Sequence, residues 1–141
     1  VREFYIGAAG QEHVRSFVTE GGVTGSLLDL MSNAPSRTCI QALEPTDTVV
    51  WRYADFDALT RRHGDLQEVA RRHAEGLYVR KTIREHEMLA LSAKERHERW
   101  LEHHAELDAR IRRVDLASYL GITPEHLSRL RRERVRPHRP G

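Results

Sequence analysis

The stretch Asp115-Leu-Ala-Ser-Tyr-Leu-Gly-Ile-Thr-Pro-Glu-His-Leu-Ser-Arg-Leu-Arg-Arg-Glu133 leaves the chain little freedom in how it folds. Leu116, Ala117, Leu120, Ile122, Leu127 and Leu130 fall where two short helices meeting around Gly121 have to touch. Ala117 lets those helices approach closely, and Gly121 suits the left-handed backbone of a sharp interhelical turn. Thr123 stands as N-cap of the second helix, Pro124 at its first position and Glu125 in its first turn, where a carboxylate suits the helix dipole. The layout is that of a helix-turn-helix.

With Leu127 and Leu130 turned inward, the opposite face of the second helix carries Glu125, Ser128, Arg129 and Arg132, and Glu125 and Arg129 lie one turn apart. An arginine fork can donate twice to guanine O6 and N7, and a carboxylate can accept from cytosine N4. The residues expected to contact double-stranded DNA are Thr123, Glu125, His126, Ser128, Arg129 and Arg132.

Charge distribution points the same way. The net +2 of the 141 residues is uneven: residues 1–60 hold four arginines and eight acids, residues 61–108 ten basic and ten acidic groups, and residues 109–141 nine arginines and three acids. A basic end on an acidic body predicts a polyanion partner for that end. A hydrophobic content of 39% and a charged content of 31% describe a soluble protein. No apolar run approaches twenty residues, so no membrane span is expected, and the single Cys39 excludes an internal disulfide or a four-cysteine metal site. A reducing, cytoplasmic setting fits.

Two other classes compete. Nine histidines raise the case for a metal-dependent enzyme. Against it, His103 and His104 are adjacent and so leave a helix on different faces, and no His-x-x-x-His pair with a helical glutamate occurs. No metal, cofactor or catalytic residue is assigned. A protein-interaction module that ignores DNA is the other alternative.

The rest of the chain reads as three regimes within an α+β fold. Arg2-Glu-Phe-Tyr-Ile6 and Glu12-His-Val-Arg-Ser-Phe-Val18 predict a hairpin across Gly7-Ala-Ala-Gly10, although the alternation of the second strand is imperfect. After a glycine-punctuated loop and the apolar turn Leu27-Leu-Asp-Leu-Met31, Thr38–Leu43 and Thr48–Tyr53 predict two more strands. Asp55 is expected to cap a short helix reaching His63, ended by Gly64. A long helix from Asp65 to about Ala90 carries apolar residues on two stripes, one for its own body and one for a second copy of itself. Ser92 and Glu95 form a capping box for the helix that bears Trp100 and Leu101. The domains expected are 1–64 (strands and short helix), 65–91 (dimerisation helix), 92–134 (helix-turn-helix domain) and 135–141 (a basic tail).

In its order of elements, and in Ala34-Pro-Ser-Arg37, Ile40-Gln-Ala-Leu-Glu44, Ala93-Lys-Glu-Arg-His97 and Ala117–Glu125 with Leu127-Ser-Arg129, the chain resembles the bacterial Crp/Fnr family of transcription regulators. The resemblance implies a β-roll of the cyclic-nucleotide-binding kind and a homodimer joined along the long helix. It also implies a C-terminal domain on an inverted-repeat operator, with RNA polymerase as a further partner. It places an effector pocket at Gly25, Ser26, Leu27, Ser36, Arg37 and Thr38, and the dimer seam at Leu66, Val69, His73, Gly76, Leu77 and Ile83. Because the chain opens without methionine in what resembles the middle of a β-roll, a preceding portion is expected. The family's ribose-binding glutamate and phosphate-binding arginine are replaced here by Ser26 and Ser36, and Arg37 comes one place late. A one-residue offset tends to turn Arg37 away from the pocket, so tight binding of cyclic AMP is not expected.

Overall fold

The computed structural model describes residues 1–32 and 34–135, Val135 through its backbone alone, so most of the expected basic tail lies outside the described residues. Among the described residues a three-stranded antiparallel sheet and six helices make an α+β fold. The chain forms two compact units, one of residues 1–45 and 91 onward, the other Thr46–Ala90. This grouping differs from a division in sequence order at 64 and 91, because the strands near the start share a core with the helices near the end.

In the first unit β1 (Arg2–Ile6) is the central strand, between β2 (Glu12–Phe17) and β3 (Cys39–Gln41). Gly10 closes the hairpin turn at φ 81°, a value that favours glycine. Glu3 lies opposite Ser16 but Phe4 lies opposite Val14, so Arg15 is the extra residue of a bulge. That extra residue resets the side-chain alternation, which brings Phe17 back to the face of Val14 and explains the irregular pattern in the sequence. Arg2, Phe4, Val14 and Phe17 thus share one face of the sheet, and Glu3 belongs to the other.

α5 (Arg113–Leu120) packs against β2, α4 (Ala93–Asp108) meets the same strand through Trp100 on Phe17, and α6 (Pro124–Val135) packs on α5. The Ser92–Glu95 capping box starts α4, which bends at His104, whose ring lies 4.6 Å from that of Trp100. Gly121 ends α5 in the left-handed region at φ 68°, and the N–H of Ile122 donates back to the Ala117 carbonyl at 3.0 Å. The core comprises Trp100, Ile111, Leu116, Ala117, Leu120 and Leu127. Phe17 of β2 joins it edge-on to Trp100 at 5.7 Å and against Tyr119 at 5.5 Å, an aromatic contact that ties sheet to helices. α1 (Leu27–Ser32) forms at the expected apolar turn.

The second unit holds α2 (Tyr53–Thr60) packed against α3 (Gly64–Ala90). Three local expectations fail here. Thr48–Tyr53 is not a strand: Val49 and Val50 are 84% and 88% exposed, and no described strand pairs with them, so β-propensity has no ladder to join. Asp55 does not cap α2; Arg52 is the N-cap, and its guanidinium forks onto the Asp55 carboxylate at 2.7 and 2.9 Å. Gly64 opens α3 instead of ending α2. The third expected strand shrinks to Cys39–Gln41.

Leu116 is fully buried, so Leu116→Ala removes packing that the three helices share. The expected loss is about 2–5 kcal/mol of folding free energy, read as a lower urea midpoint at unchanged slope.

Candidate nucleic-acid interface

α6 begins as its residues dictate. The Thr123 hydroxyl accepts from the His126 N–H at 3.2 Å, and the Thr123 carbonyl accepts from the Leu127 N–H at 3.0 Å. Leu127 and Leu130 are buried, leaving Glu125, Arg129 and Arg132 exposed, with His126 and Ser128 half-buried at the margin. Glu125 does not pair with Arg129. Its carboxylate turns back to its own N–H and to the Thr123 hydroxyl, which hold it below the usual carboxylate range.

The arginines around this face sort into two groups. Arg131 forks onto Asp108 at 2.8 and 2.9 Å, and the Trp100 indole N–H donates to the same carboxylate at 3.1 Å. Arg112 forks onto Asp115 at 2.7 and 3.0 Å. These cations are neutralised internally. Arg113, Arg129 and Arg132 are exposed and form no ion pair among the described residues. Arg113 stands at the start of α5, yet its guanidinium donates to the Ser128 hydroxyl on α6 at 3.2 Å, so it belongs to the same face. Sequence reasoning missed it; the signal was the Arg112-Arg113 doublet, both members exposed, of which Arg112 pairs with Asp115 and Arg113 reaches Ser128.

The expected effector residues are partly assembled. Gly25, Ser26 and Ser36 line a hollow of about 470 Å³ with Asp29, Leu30, Ala34 and Pro35. Leu27 and Arg37 are exposed and Thr38 is buried, and none of the three lines the hollow. Asp29, which the sequence did not single out, is buried and takes the polar donors of the site. The Ser26 hydroxyl, the Arg37 N–H at 3.1 Å and the Ser36 hydroxyl at 3.2 Å hold its carboxylate below the ordinary range. An anion entering here meets a carboxylate whose donors are already engaged.

On α3, Val69 and Ile83 are 58% and 48% exposed, while Leu66, His73, Gly76 and Leu77 are half-buried. Leu66, Val69, His73 and Gly76 recur at three- and four-residue steps along one side of the helix, and Ile83 follows on that side two turns later. No side chain of α2 or α3 is fully buried.

Under α6 lies a second unexpected group. His97 of α4 is 2% exposed, and its Nε2 has no hydrogen-bond partner. Burial, reinforced by Arg131, pushes its pKa below the ordinary 6.5 against the opposing pull of Asp108. Folding therefore favours the neutral ring. That contribution to stability is fully present above pH 6.5 and is lost as the pH falls below it, when the unfolded chain binds the proton first. The urea midpoint should fall between pH 7 and pH 5, and His97→Leu should lose that part of the pH dependence. An unchanged profile in the variant removes His97 as its source.

Among the described residues no group of three or more His, Cys, Asp or Glu is placed to hold a metal ion, and no helix is long and apolar enough to cross a membrane. No protein-family model matches the chain, and no curated protein matches it significantly.

Proposed function

We propose that this chain is a sequence-specific DNA-binding transcription regulator of the Crp/Fnr type, in which α5 and α6 act as a helix-turn-helix. The observation that carries this reading is the group formed by Arg113, Arg129 and Arg132. These three guanidiniums share one exposed face without a carboxylate partner among the described residues, while Arg112 and Arg131 beside them are neutralised. Unpaired guanidiniums on a short exposed helix suit phosphates and guanine edges. Arg129 and Glu125 are assigned to base edges. Glu125 has to leave its cap contacts to reach a cytosine amino group. Arg113 and Arg132 are assigned to phosphates.

The regulator is a homodimer that uses α3. A 45-residue unit without one fully buried side chain cannot gain enough apolar burial alone, and a 27-residue helix of about 40 Å offers a long seam to a second copy. Two reading helices related by a twofold axis match an inverted-repeat operator. The hollow at Gly25–Ser36 does not bind cyclic AMP tightly in this proposal, because Asp29 occupies its donors.

Duplexes selected from a randomised pool by the full chain test the reading. On the selected site Arg129→Ala should weaken binding by about 1–3 kcal/mol and flatten preference at one base pair per half-site. An equal loss on every duplex contradicts direct readout. A salt series separates DNA from an acidic protein partner, since several phosphate contacts give a steep, linear loss of log affinity with log salt. For the dimer, Ile83→Glu puts an unpaired charge in the seam and should shift the protein to monomer in sedimentation equilibrium. A variant that stays dimeric when dilute places the interface elsewhere.

A further inference from the structure

We propose that β1 is a coupling strap with two ends: Glu3 holds the loop that rims the Gly25–Ser36 hollow, and Arg2 holds α5, so the state of that loop and the order of α5 are linked. This deepens the regulator reading and rests on it only where DNA affinity is concerned.

The α5 end is built from buried charge. Arg2 and Asp115, 113 residues apart in the chain, are 3% and 2% exposed, with Arg2 Nη1 donating to Asp115 Oδ1 at 2.7 Å. The other donors of Arg2 go to Gln41 Oε1 at 2.9 and 2.6 Å and to Glu12 at 2.6 Å, and its guanidinium lies 4.3 Å from the centre of the Phe4 ring. One turn along α5, the Ser118 hydroxyl accepts the N–H of Val14 at 2.9 Å and donates to the carbonyl of Glu12 at 3.1 Å. α5 thus supplies the outer edge of β2 with the partner that a further strand would give. If Arg2 leaves Asp115, the buried carboxylate keeps Arg112 as its one remaining cation and loses the contact that ties it to the sheet.

The other end sits on the opposite face of the same strand. Glu3 is 5% exposed and accepts from the Ser16 hydroxyl, from Thr24 Oγ1 at 2.6 Å and from the Gly25 N–H at 3.4 Å, with Arg15 Nε at 3.5 Å. Gly25 lines the hollow. Adjacent residues of one strand therefore grip the rim of a cavity and a helix that bears Arg113. Movement of the Thr24–Gly25 loop strips partners from a buried carboxylate, and the strand that must readjust carries Arg2. The two contact groups meet only through the backbone of β1, so in this proposal the strand itself carries the coupling.

Amide hydrogen exchange on the full chain tests the coupling without DNA. Glu3→Gln, and separately Thr24→Val, which removes a single hydroxyl contact and keeps the fold if Glu3→Gln does not, should speed exchange in the segment around residues 24–36. They should also speed exchange at least tenfold at the α5 amides of Asp115–Leu120, with α3 unchanged as internal control. Faster exchange confined to residues 24–36, or spread evenly over the chain, overturns the strap. On selected duplexes both variants should bind several-fold more weakly than the wild type. If the wild type binds no duplex, the regulator reading fails while the exchange result still decides the strap; unchanged affinity alongside faster α5 exchange overturns the DNA-linked part alone.

Discussion

A carboxylate buried at position 115 has to find cations, and the architecture of the first unit follows from how it finds them. Arg112 comes from the N-cap of the same helix, but Arg2 comes from the far end of the chain. Taking such ions out of water costs several kcal/mol each before pairing, so the pair holds only where its geometry is complete. Here Gln41, Glu12 and Phe4 complete it around Arg2, and the Phe17–Trp100–Tyr119 cluster supplies the apolar contact beside it. α5 is consequently covered on two sides. Leu116, Ala117 and Leu120 meet the other helices, and Asp115 and Ser118 meet the strands.

That arrangement leaves the arginines of α5 and α6 with two fates. Those facing Asp108 and Asp115 are consumed in structure. Those facing away are exposed and form no ion pair among the described residues, and Arg113 joins Arg129 and Arg132 because the α5–α6 turn sets the start of α5 beside Ser128. The proposed function rests on the second group. The surface ion pairs along α3, such as Arg72–Glu68 and Arg71–Glu68, are exposed and contribute little beyond holding helical side chains in place.

Local physics was legible in the sequence. The capping box at Ser92, the left-handed Gly121, the cap at Thr123 and the proline after it depend on neighbours within four residues, and each forms where its residues predict. Features that depend on distant partners were not legible. Asp115 and Ser118 were not among the expected contact positions, yet strands from the chain's start meet both. Thr48–Tyr53 has the composition of a strand but no described strand to pair with. Asp29 read as part of an apolar turn and instead gathers the donors expected to face a ligand. Glu125 and Arg129 had the spacing of a pair, yet the helix N-terminus competes for the carboxylate and holds it. On the arginine face of α5 and α6, the residue types were visible in sequence and the membership of Arg113 was not.

In the proposed function the arginine face of α5 and α6 receives DNA. Titrating isotopically labelled full-length protein with a selected duplex, and following arginine Nε–Hε and backbone amide resonances, tests it most directly. Shifts are expected at Arg113, Glu125, Arg129 and Arg132, with the Glu95–Glu98–Glu102 side of α4 silent. Shifts confined to α4 or α3, or none at low ionic strength, would contradict it.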